Sequence, residues 1–561
     1  MIRPSQWVLS FLSFLIVAFG QPSWIPWLAP VAAAIGFALF WRVLIGFQTR
    51  FARFCAASIW FTLVQCIQLS WMTSIDFQGV YILFAYFWLA TWLGVQFGLL
   101  SLLIPREGPI RSMRILAVAS LWALIEWSRF YFLCGFSWSP SGLALTSCLT
   151  SLQFATVGGV LGLSFWVMLV NAAAYNVLDA CFNRRLPALK GAVLWIGLAA
   201  FPYLFGVLHL NYHEEQLAAH PPEKELTVAL IQTGLLPPEK LVLQEHLHHF
   251  ISPWEQWKRI LIFLKSVESS SLDLIVFPEV AVPFHCDKTI YPLESVIQIL
   301  RQELGEGVLK TLPPLQFPFA GKKWIGSEER WMVSNSYWTQ AISNYFESEV
   351  VIGLEHEDRD SKKSYNAAFY FAPNQTEVGR YEKQILLPMA EYLPCRSFLP
   401  FVETYGIKDF FTKGEGAKVF GEAAALSISI CYEETFPDLI RENRLKGAEI
   451  LVNVTNDNWY PSSKLPQQHY DLGRLRAVEN GFPLFRACNT GVSAAIDSLG
   501  RPACIMCELG DDKQYLSGPL VATLPIYHYK TLYTFSGDGG VVGLSLILFG
   551  TFLRLRKNRN W

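Results

Sequence analysis

Eight apolar segments constrain this chain more than any other feature of its sequence. Seven precede residue 210 and one lies near the end, and they cover residues 6–20, 24–41, 55–73, 80–103, 115–134, 152–180, 191–209 and 537–553. A helix needs about 20 mostly apolar residues to cross a bilayer. The chain is also only 16% charged, whereas soluble proteins carry about 25% charged residues. The sequence therefore predicts a multi-pass α-helical membrane bundle with eight spans.

The long stretch between the seventh and the eighth apolar segment has the composition of an ordinary globular protein. We therefore expect three parts: a transmembrane bundle of seven spans over residues 1–215, a globular domain over residues 222–530, and a C-terminal transmembrane helix with a basic tail over residues 537–561. The formal net charge of the chain is −1, which gives no indication of a nucleic-acid partner.

Lysine and arginine residues occupy alternate loops of the predicted bundle. Loops 21–23, 74–79 and 135–142 contain neither residue. The intervening loops and the tail contain Arg42, Arg50, Arg53, Arg106, Arg111, Arg114, Arg184, Arg185, Lys190, Arg554, Arg556, Lys557 and Arg559. Basic loops stay on the cytoplasmic side of a membrane. Both termini are therefore expected in the cytoplasm, and the 222–530 domain is expected outside it, on the periplasmic side in a bacterium.

The sequence leaves the roles of two pairs of residues open. Glu126 and Arg129 interrupt the fifth apolar segment and lie three residues apart, on one face of a helix. Charges inside a membrane are costly, so these two form a mutual ion pair or serve a function such as lipid contact. Cys504 and Cys507 form a CxxC motif. Their context favours a strand, in which positions three apart point to opposite faces, and this argues against a shared metal or redox role.

Strand-like and helix-like segments alternate within residues 222–530, which predicts an α/β layered domain. Helical spacing covers residues 246–267. The strand candidates cover residues 226–232, 272–277, 350–354, 367–372, 424–430, 450–454, 484–487 and 492–496. Functional residues in such layered domains tend to lie where strands end.

Three reactive side chains follow strand or loop ends. Glu279 ends the run Phe277-Pro278-Glu279, Lys383 precedes a short apolar run, and Cys431 follows the strand candidate 424–430. A cysteine reacts as its thiolate, which a neighbouring base or cation must generate at neutral pH. Taken singly, these residues are more often a solvated carboxylate, a surface lysine and a core cysteine. Taken together in this order, they predict a nucleophilic active site.

The order of these residues resembles that of a known enzyme superfamily. Glu279, Lys383 and Cys431 resemble the Glu-Lys-Cys triad of the nitrilase, or carbon–nitrogen hydrolase, superfamily. Further matches to that superfamily are Asn456-Asp457-Asn458-Trp459, Arg474, Arg476, Glu479, Asn480, Arg486 and Asn489-Thr490-Gly491. The apolar segments narrow the resemblance to the apolipoprotein N-acyltransferase family. The chain is similar to two patterns of that family, one in the fifth segment (Glu126, Arg129, Gly135, Phe136 and Trp138) and one after it (Lys383, Pro388, Glu391, Tyr392 and Pro394).

The resemblance covers nearly the whole chain and implies a fold and a reaction. The globular part would be a nitrilase-like αββα sandwich. An acyl chain would pass from a membrane phospholipid to Cys431, forming a thioester, and then to the N-terminal α-amino group of a diacylglyceryl-cysteine apolipoprotein. This would be the last step of lipoprotein maturation. Glu279 would act as the general base. Lys383 would stabilise the oxyanion together with the backbone N–H of Tyr432.

The resemblance also implies supporting residues, partners and a location. Glu391 and Glu433 would support the site or orient the lysine by ion pairing, and Trp459 and Tyr392 would contact acyl chains or pack. No cofactor is expected, because a thioester keeps the acyl group activated without ATP. No metal is expected either, because the ten histidines show no zinc-ligand spacing. The expected partners are a phospholipid donor and a diacylated apolipoprotein acceptor. The protein is expected to be a monomer in the bacterial inner (cytoplasmic) membrane.

The chain departs from the family pattern in segments that would gate the substrates. Phe277 stands where the family often has tryptophan. Where the family usually has an Asn-Ile-x-Gln and Lys-Trp pattern, residues 232–241 read Gln-Thr-Gly-Leu-Leu-Pro-Pro-Glu-Lys-Leu. Tyr460-Pro461 replaces a usual Phe-Gly, and residues 284–349 form a longer stretch than is typical. Two other functions stay open: a membrane-tethered amidase that uses water as the acceptor, and a non-catalytic assembly or transport protein. The apolar segments argue against the first, and the intact triad argues against the second.

Overall fold

The computed structural model describes residues 4–183, 189–240, 249–394, 410–460, 462–506 and 516–558 of the chain. Contacts divide the protein into two compact units. The first, called the membrane unit below, comprises Met1–Pro221, Ser463–Gly481 and Tyr529–Trp561. The second, called the sheet unit, comprises Pro222–Ser462 and Phe482–His528.

Apolar helices make up most of the membrane unit. Six described helices are long and apolar enough to cross a membrane: Pro26–Gly46, Arg50–Gln68, Tyr81–Ser101, Ala155–Phe182, Leu189–Ala219 and Leu532–Asn558. The predicted class, a multi-pass helical membrane protein, is confirmed. The predicted count of eight is wrong by this criterion. Pro4–Phe19 is only 16 residues long, and Ser112–Arg129 contains three charged residues among its 18.

Close packing of small and aromatic residues holds two of these helices together. Gly94 and Gly98, on helix Tyr81–Ser101, face helix Arg50–Gln68. A Cβ atom at Gly94 would lie 2.6 Å from the Ser58 carbonyl oxygen, and one at Gly98 would lie 3.0 Å from the Phe54 carbonyl oxygen. Glycine lets helices approach in this way inside a membrane, where dispersion contacts replace the hydrophobic driving force.

The side chains of Glu126 and Arg129 are buried within the membrane unit, and each has a polar partner of its own. The Arg129 Nη1 and Glu126 Oε1 atoms are 3.9 Å apart. The guanidinium also donates to Gln96 Oε1 at 2.8 Å, and the carboxylate accepts the Ser141 backbone N–H at 2.8 Å. The observed contacts show the mutual ion pair that the sequence offered as one of two alternatives.

A helix from the middle of the sequence, Leu465–Asn480, belongs to the membrane unit. Helix Ala155–Phe182 is broken at Gly158 and Gly159, the latter with φ of 60°. This break leaves the backbone N–H of Val160 without a helical acceptor, and Glu479 Oε1 accepts it at 2.7 Å. The carboxylate therefore acts as a cap for the second half of a membrane helix.

Two six-stranded sheets form the sheet unit. The strands are β1 (Glu225–Gln232), β2 (Leu274–Val276), β3 (Tyr291–Pro292), β4 (Ala320–Ile325), β5 (Glu328–Val333), β6 (Glu349–Glu357), β7 (Ser364–Phe371), β8 (Gly379–Glu382), β9 (Val419–Phe420), β10 (Leu426–Ile430), β11 (Ile450–Thr455), β12 (Leu484–Cys488), β13 (Ser493–Ile496), β14 (Pro502–Met506) and β15 (Gly518–Pro525). The first sheet has the order β15-β1-β2-β6-β7-β8, and the second has the order β14-β13-β12-β11-β10-β9. A small third sheet has the order β3-β5-β4.

The alternation of side chains along β1 shows how the layers form. Leu226, Val228 and Leu230 point into a core between the two large sheets, which also contains Ile428 and Val452 of the second sheet. The intervening residues of β1 face a separate core formed with helices Pro253–Lys265, Leu293–Leu304 and Asn335–Phe346. Strands that are apolar on both faces are buried on both faces. With helix Pro437–Leu445 after β10, this is the expected nitrilase-like αββα sandwich.

Residues 284–349, whose role the sequence left open, fold into ordered elements of the sheet unit. They contain helices Leu293–Leu304 and Asn335–Phe346 and the three short strands β3, β4 and β5. Within the predicted helix 246–267, the structure has Pro253–Lys265, and residues 241–248 lie outside the described part of the chain. Cys504 lies in β14 as predicted for a strand, and Cys507 lies outside the described residues.

Candidate active site

The three predicted catalytic residues follow three strands of the sheet unit. Glu279 comes shortly after β2, and Lys383 comes directly after β8, both in the first sheet. Cys431 comes directly after β10, in the second sheet. The site is therefore built from both large sheets, at the ends of their strands.

An ion cluster surrounds the Lys383 ammonium. Its Nζ atom lies 2.8 Å from Glu391 Oε1 and 3.2 Å from Glu279 Oε1, and its side chain is 1% exposed. Asn366, on β7, donates from its single Nδ2 atom to the same two oxygens, at 2.7 Å to Glu279 and 2.9 Å to Glu391. The carboxylate of Glu391 also accepts the Leu387 backbone N–H at 2.8 Å. One cation and one amide thus hold two carboxylates that would otherwise repel each other.

Cys431 occupies a strained turn at the end of its strand. Its φ is 52°, in the left-handed region that non-glycine residues rarely adopt. Cys431 is also the first residue of a 3₁₀ helix, Cys431–Thr435. Such strain is characteristic of residues that the surrounding structure holds in place for a function. The thiol is half-buried rather than sealed in the core.

The pKa shifts of the thiol and the ammonium have clear physical causes. Burial raises the pKa of Cys431 above that of an ordinary thiol, the Glu279 carboxylate raises it further, and the Lys383 ammonium opposes both. Burial alone would lower the pKa of Lys383, but attraction to Glu279 and then to Glu391 outweighs it and holds this pKa well above its usual value. At neutral pH the resting site therefore contains a thiol and an ammonium, and the thiol needs a base to remove its proton.

Glu433 joins the loop of Lys383 to the loop of Cys431. Its fully buried carboxylate accepts backbone N–H groups of Gln384, Ile385 and Ile430, the last at 2.7 Å. Burial raises the pKa of Glu433 to about 7, while these N–H donors favour the charged form. Glu391 therefore forms the ion pair with Lys383 that was one of the two alternatives for these glutamates. Glu433 instead accepts hydrogen bonds from the backbone of both loops.

The remaining predicted residues are Tyr432, Tyr392 and Trp459. Tyr432 is buried, and its ring packs edge-on against Phe436 with centroids 4.9 Å apart. Tyr392 is half-buried, and its carbonyl accepts the Met389 backbone N–H at 2.8 Å. Trp459 is half-buried in the turn after β11.

A second buried ion cluster lies under the turn that follows Cys431. Arg486, on β12, donates from Nε to Glu434 Oε1 at 2.7 Å and from Nη2 to Asp457 Oδ2 at 3.0 Å. All three side chains are almost completely buried. Gly491, with φ of 114°, passes so close that a Cβ there would lie 2.8 Å from Asp457 Oδ2. Arg486 thus connects the turn of the nucleophile to the Asn-Asp-Asn-Trp motif.

Two residues that contact the ion cluster were not predicted from sequence. Asn366 bridges the two carboxylates, and Lys240 donates to the backbone carbonyl of Glu279 at 2.7 Å. A signal for Asn366 existed, because asparagine is disfavoured within strands and β7 is otherwise rich in aromatic residues and alanine. Lys240 gave no such signal, since a single lysine after a strand is usually a surface charge.

Comparison with known proteins agrees with this architecture. Residues 227–514 match the family model described as carbon-nitrogen hydrolase. Residues 7–173 match the model described as apolipoprotein N-acyltransferase N-terminal domain. Among solved structures, the nitrilase-superfamily member Nit3 of Saccharomyces cerevisiae is 18% identical with a TM-score of 0.36, covering 56% of this chain and 94% of its own. The family-model match of residues 227–514 by itself places the sheet unit in the carbon-nitrogen hydrolase class.

Similar proteins along the full length identify the family. A Chlamydia caviae protein named apolipoprotein N-acyltransferase is 32% identical, covering 97% of this chain and 96% of its own. A Chlamydia pneumoniae protein of the same name is 33% identical, covering 94% of this chain and 93% of its own. The chain belongs to the apolipoprotein N-acyltransferase family and is an acyltransferase.

Replacing Arg486 tests the second ion cluster. Arg486→Met leaves the carboxylates of Glu434 and Asp457 buried without their cation, which is expected to cost about 3–5 kcal/mol of stability. The thermal midpoint of the purified protein in detergent should fall. The triple variant Arg486→Met/Glu434→Gln/Asp457→Asn also removes the charges, so it should recover part of the loss. A midpoint for Arg486→Met equal to that of the parent would contradict this interpretation.

Proposed function

We propose that this protein transfers an acyl chain from a membrane phospholipid to the N-terminal α-amino group of a diacylglyceryl-cysteine apolipoprotein. The observation that carries the proposal is the buried Lys383 ammonium, held 3.2 Å from Glu279 and 2.8 Å from Glu391. It supports a site for covalent acyl transfer, and the apolar helices supply access to a lipid donor.

The first half-reaction forms a thioester on Cys431. The sulfur attacks the ester carbonyl of the phospholipid while Glu279 accepts the thiol proton. Lys383 and the Tyr432 backbone N–H stabilise the oxyanion of the tetrahedral intermediate. The intermediate collapses by breaking the carbon–oxygen bond to the glycerol, and Glu279 returns the proton to the leaving oxygen. The products are a lysophospholipid and acyl-Cys431.

The second half-reaction transfers the acyl group to an amine. The neutral α-amino group attacks the thioester carbonyl, and Glu279 accepts a proton from the nitrogen. The carbon–sulfur bond breaks, and the proton passes to the Cys431 sulfur, which restores the resting thiol. An amide replaces an ester with no change in oxidation state, so the scheme needs no cofactor and no metal.

The other residues of the site support this chemistry from fixed positions. Glu391 keeps Lys383 charged and in place, and Glu433 fixes the backbone on either side of the cluster. Tyr392 and Trp459, both half-buried beside these loops, are candidates for contact with acyl chains. The protein is proposed to act as a monomer.

The proposed location is the bacterial inner membrane, with the sheet unit on the periplasmic side. The alternation of basic loops supports this orientation. It would also place the site where exported lipoproteins are found.

Labelling of introduced cysteines tests the orientation. Trp324 is exposed near the end of β4, and Lys557 is exposed in the basic tail. A membrane-impermeant maleimide applied to intact spheroplasts should label Trp324→Cys above the background of the parent protein. The matched variant Lys557→Cys should be labelled only after lysis. The reverse pattern would place the sheet unit in the cytoplasm and exclude the proposed orientation.

Product analysis tests the reaction. Purified protein is incubated with a phospholipid labelled in its acyl chain and a synthetic diacylated lipopeptide with a free α-amino group. Lysophospholipid and N-acylated peptide should form in equal amounts. Without peptide, intact-mass analysis should show a hydroxylamine-labile acyl adduct on Cys431, because the donor is abundant and the acceptor is absent.

Variants and side products separate the alternatives in the same assay. Cys431→Ala should form no adduct, and Cys431→Ser should form little, since a hydroxyl is far harder to ionise with the same base. Release of free fatty acid in place of acylated peptide would support a hydrolase instead. Full turnover by Cys431→Ala would refute a thioester intermediate on this residue.

A further inference from the structure

Lys240 is a buried cation beside the proposed general base. It is the last described residue of helix Pro237–Lys240, which follows β1, and it is only 1% exposed. Its Nζ atom donates to the backbone carbonyl oxygen of Glu279 at 2.7 Å. Lys383 contacts the side chain of the same glutamate, so two ammonium groups hold Glu279, one through its backbone and one through its carboxylate.

The segment that carries Lys240 is fixed in the sheet unit. The Gly234 N–H donates to the Asn489 carbonyl oxygen at 2.7 Å, and Asn489 Nδ2 donates to the Leu235 carbonyl oxygen at 2.7 Å. Glu239 caps the short helix by accepting the Leu236 N–H at 2.8 Å. The lysine is therefore presented to Glu279 from an anchored backbone.

The backbone around Glu279 is held from the opposite side by β6. The Gly353 N–H donates to the Pro278 carbonyl oxygen at 3.2 Å, and the Ala281 N–H donates to the Gly353 carbonyl oxygen at 2.8 Å. Val280 between them has φ of 44°, and a Cβ atom at Gly353 would lie 2.6 Å from the Glu279 Cα. The segment bends sharply here, and the Glu279 carbonyl oxygen is held in this bend by the Lys240 ammonium.

The charge of Lys240 is costly for a contact with one carbonyl group. Within the described part of the chain, no carboxylate oxygen lies within 4.0 Å of its Nζ atom. Burial lowers the pKa of Lys240 to about 7, against the attraction of Glu279 and Cys488. A neutral donor would satisfy the carbonyl oxygen at a smaller desolvation cost. The amine is therefore protonated mainly below about pH 7, and a basic group kept here at the expense of stability points to a role in the chemistry of the site.

We propose that Lys240 is a positioning residue for the general base: its ammonium fixes the backbone of Glu279 and places a positive charge behind its carboxylate. The carboxylate is thereby kept in place to take the proton of Cys431. This inference rests on the proposed function, in which Glu279 is the base. A displacement of about 1 Å in such a group costs on the order of a hundredfold in rate.

Lys240→Met tests the proposal, because it keeps the length of the side chain and removes the charge and the donor. The single-turnover rate of Cys431 acylation should fall about ten- to hundredfold. The donor concentration that gives half the maximal rate should change less than about twofold, since Lys240 does not bind the lipid. The thermal midpoint should stay equal or rise, because a buried charge is lost. Lys240→Arg keeps the charge and should recover most of the rate.

Gln256→Met is the matched control. Gln256 is buried and donates to the Lys240 backbone carbonyl oxygen at 3.3 Å, so its loss loosens the same segment and leaves the ammonium intact. The control should lower the thermal midpoint while keeping the acylation rate within about twofold of the parent.

The outcomes separate this inference from the proposed function. Folded Lys240→Met that acylates at the parental rate would overturn the positioning role, as would an equal loss of rate in Gln256→Met. If Lys240→Met does not fold, Lys240→Gln and Lys240→Arg provide the same comparison of rate against charge. Failure of the parent protein to form any thioester would instead refute the proposed function itself.

Discussion

The site depends on the burial of one ammonium group between two carboxylates. Lys383, with a side chain that is 1% exposed, lies within 3.2 Å of both Glu279 and Glu391. Removing an ammonium from water costs several kcal/mol unless charged partners surround it. Glu279 lies after β2 and Glu391 lies after β8, so the ammonium of Lys383 holds these two segments together. Asn366 shares its amide between both carboxylates and completes the cluster.

The nucleophile comes from the other sheet, and its position depends on links between the layers. Glu433 accepts backbone N–H groups from the loops of both Lys383 and Cys431, and Arg486 holds the following turn through Glu434. The thiol keeps its proton because burial and the nearby Glu279 carboxylate raise its pKa. In the resting site the sulfur of Cys431 is therefore a thiol, and in the proposed reaction Glu279 would remove its proton.

Sequence predicted the fold class and singled out a candidate triad because both leave local signals: buried strands end shortly before Glu279 and Cys431, and apolar runs mark the helices. It did not predict contacts that exist only after strands pair, such as those of Asn366 and Lys240. It also placed the start of one apolar segment at residue 55, after Arg53. The helix begins at Arg50, because the side chain of Thr49 caps it. Arg53 can be buried inside this helix because its guanidinium donates to the Ile104 carbonyl oxygen at 2.9 Å. Helix Leu465–Asn480, polar and continuous with the globular segment, gave no sign that it belongs to the membrane unit.

A double-mutant cycle between Lys383 and Glu391 measures the central interaction directly. The rate of Cys431 acylation is measured by intact mass for the parent, Lys383→Met, Glu391→Gln and the double variant. In Lys383→Met the acylation rate should fall about a hundred- to a thousandfold, as it does when an oxyanion donor is lost. In Glu391→Gln the acylation rate should fall only about tenfold, because Glu391 acts through the lysine. The double variant should then be no slower than Lys383→Met alone. Losses that simply multiply would show that Glu391 acts independently of Lys383 and would contradict the ion cluster as the basis of the site.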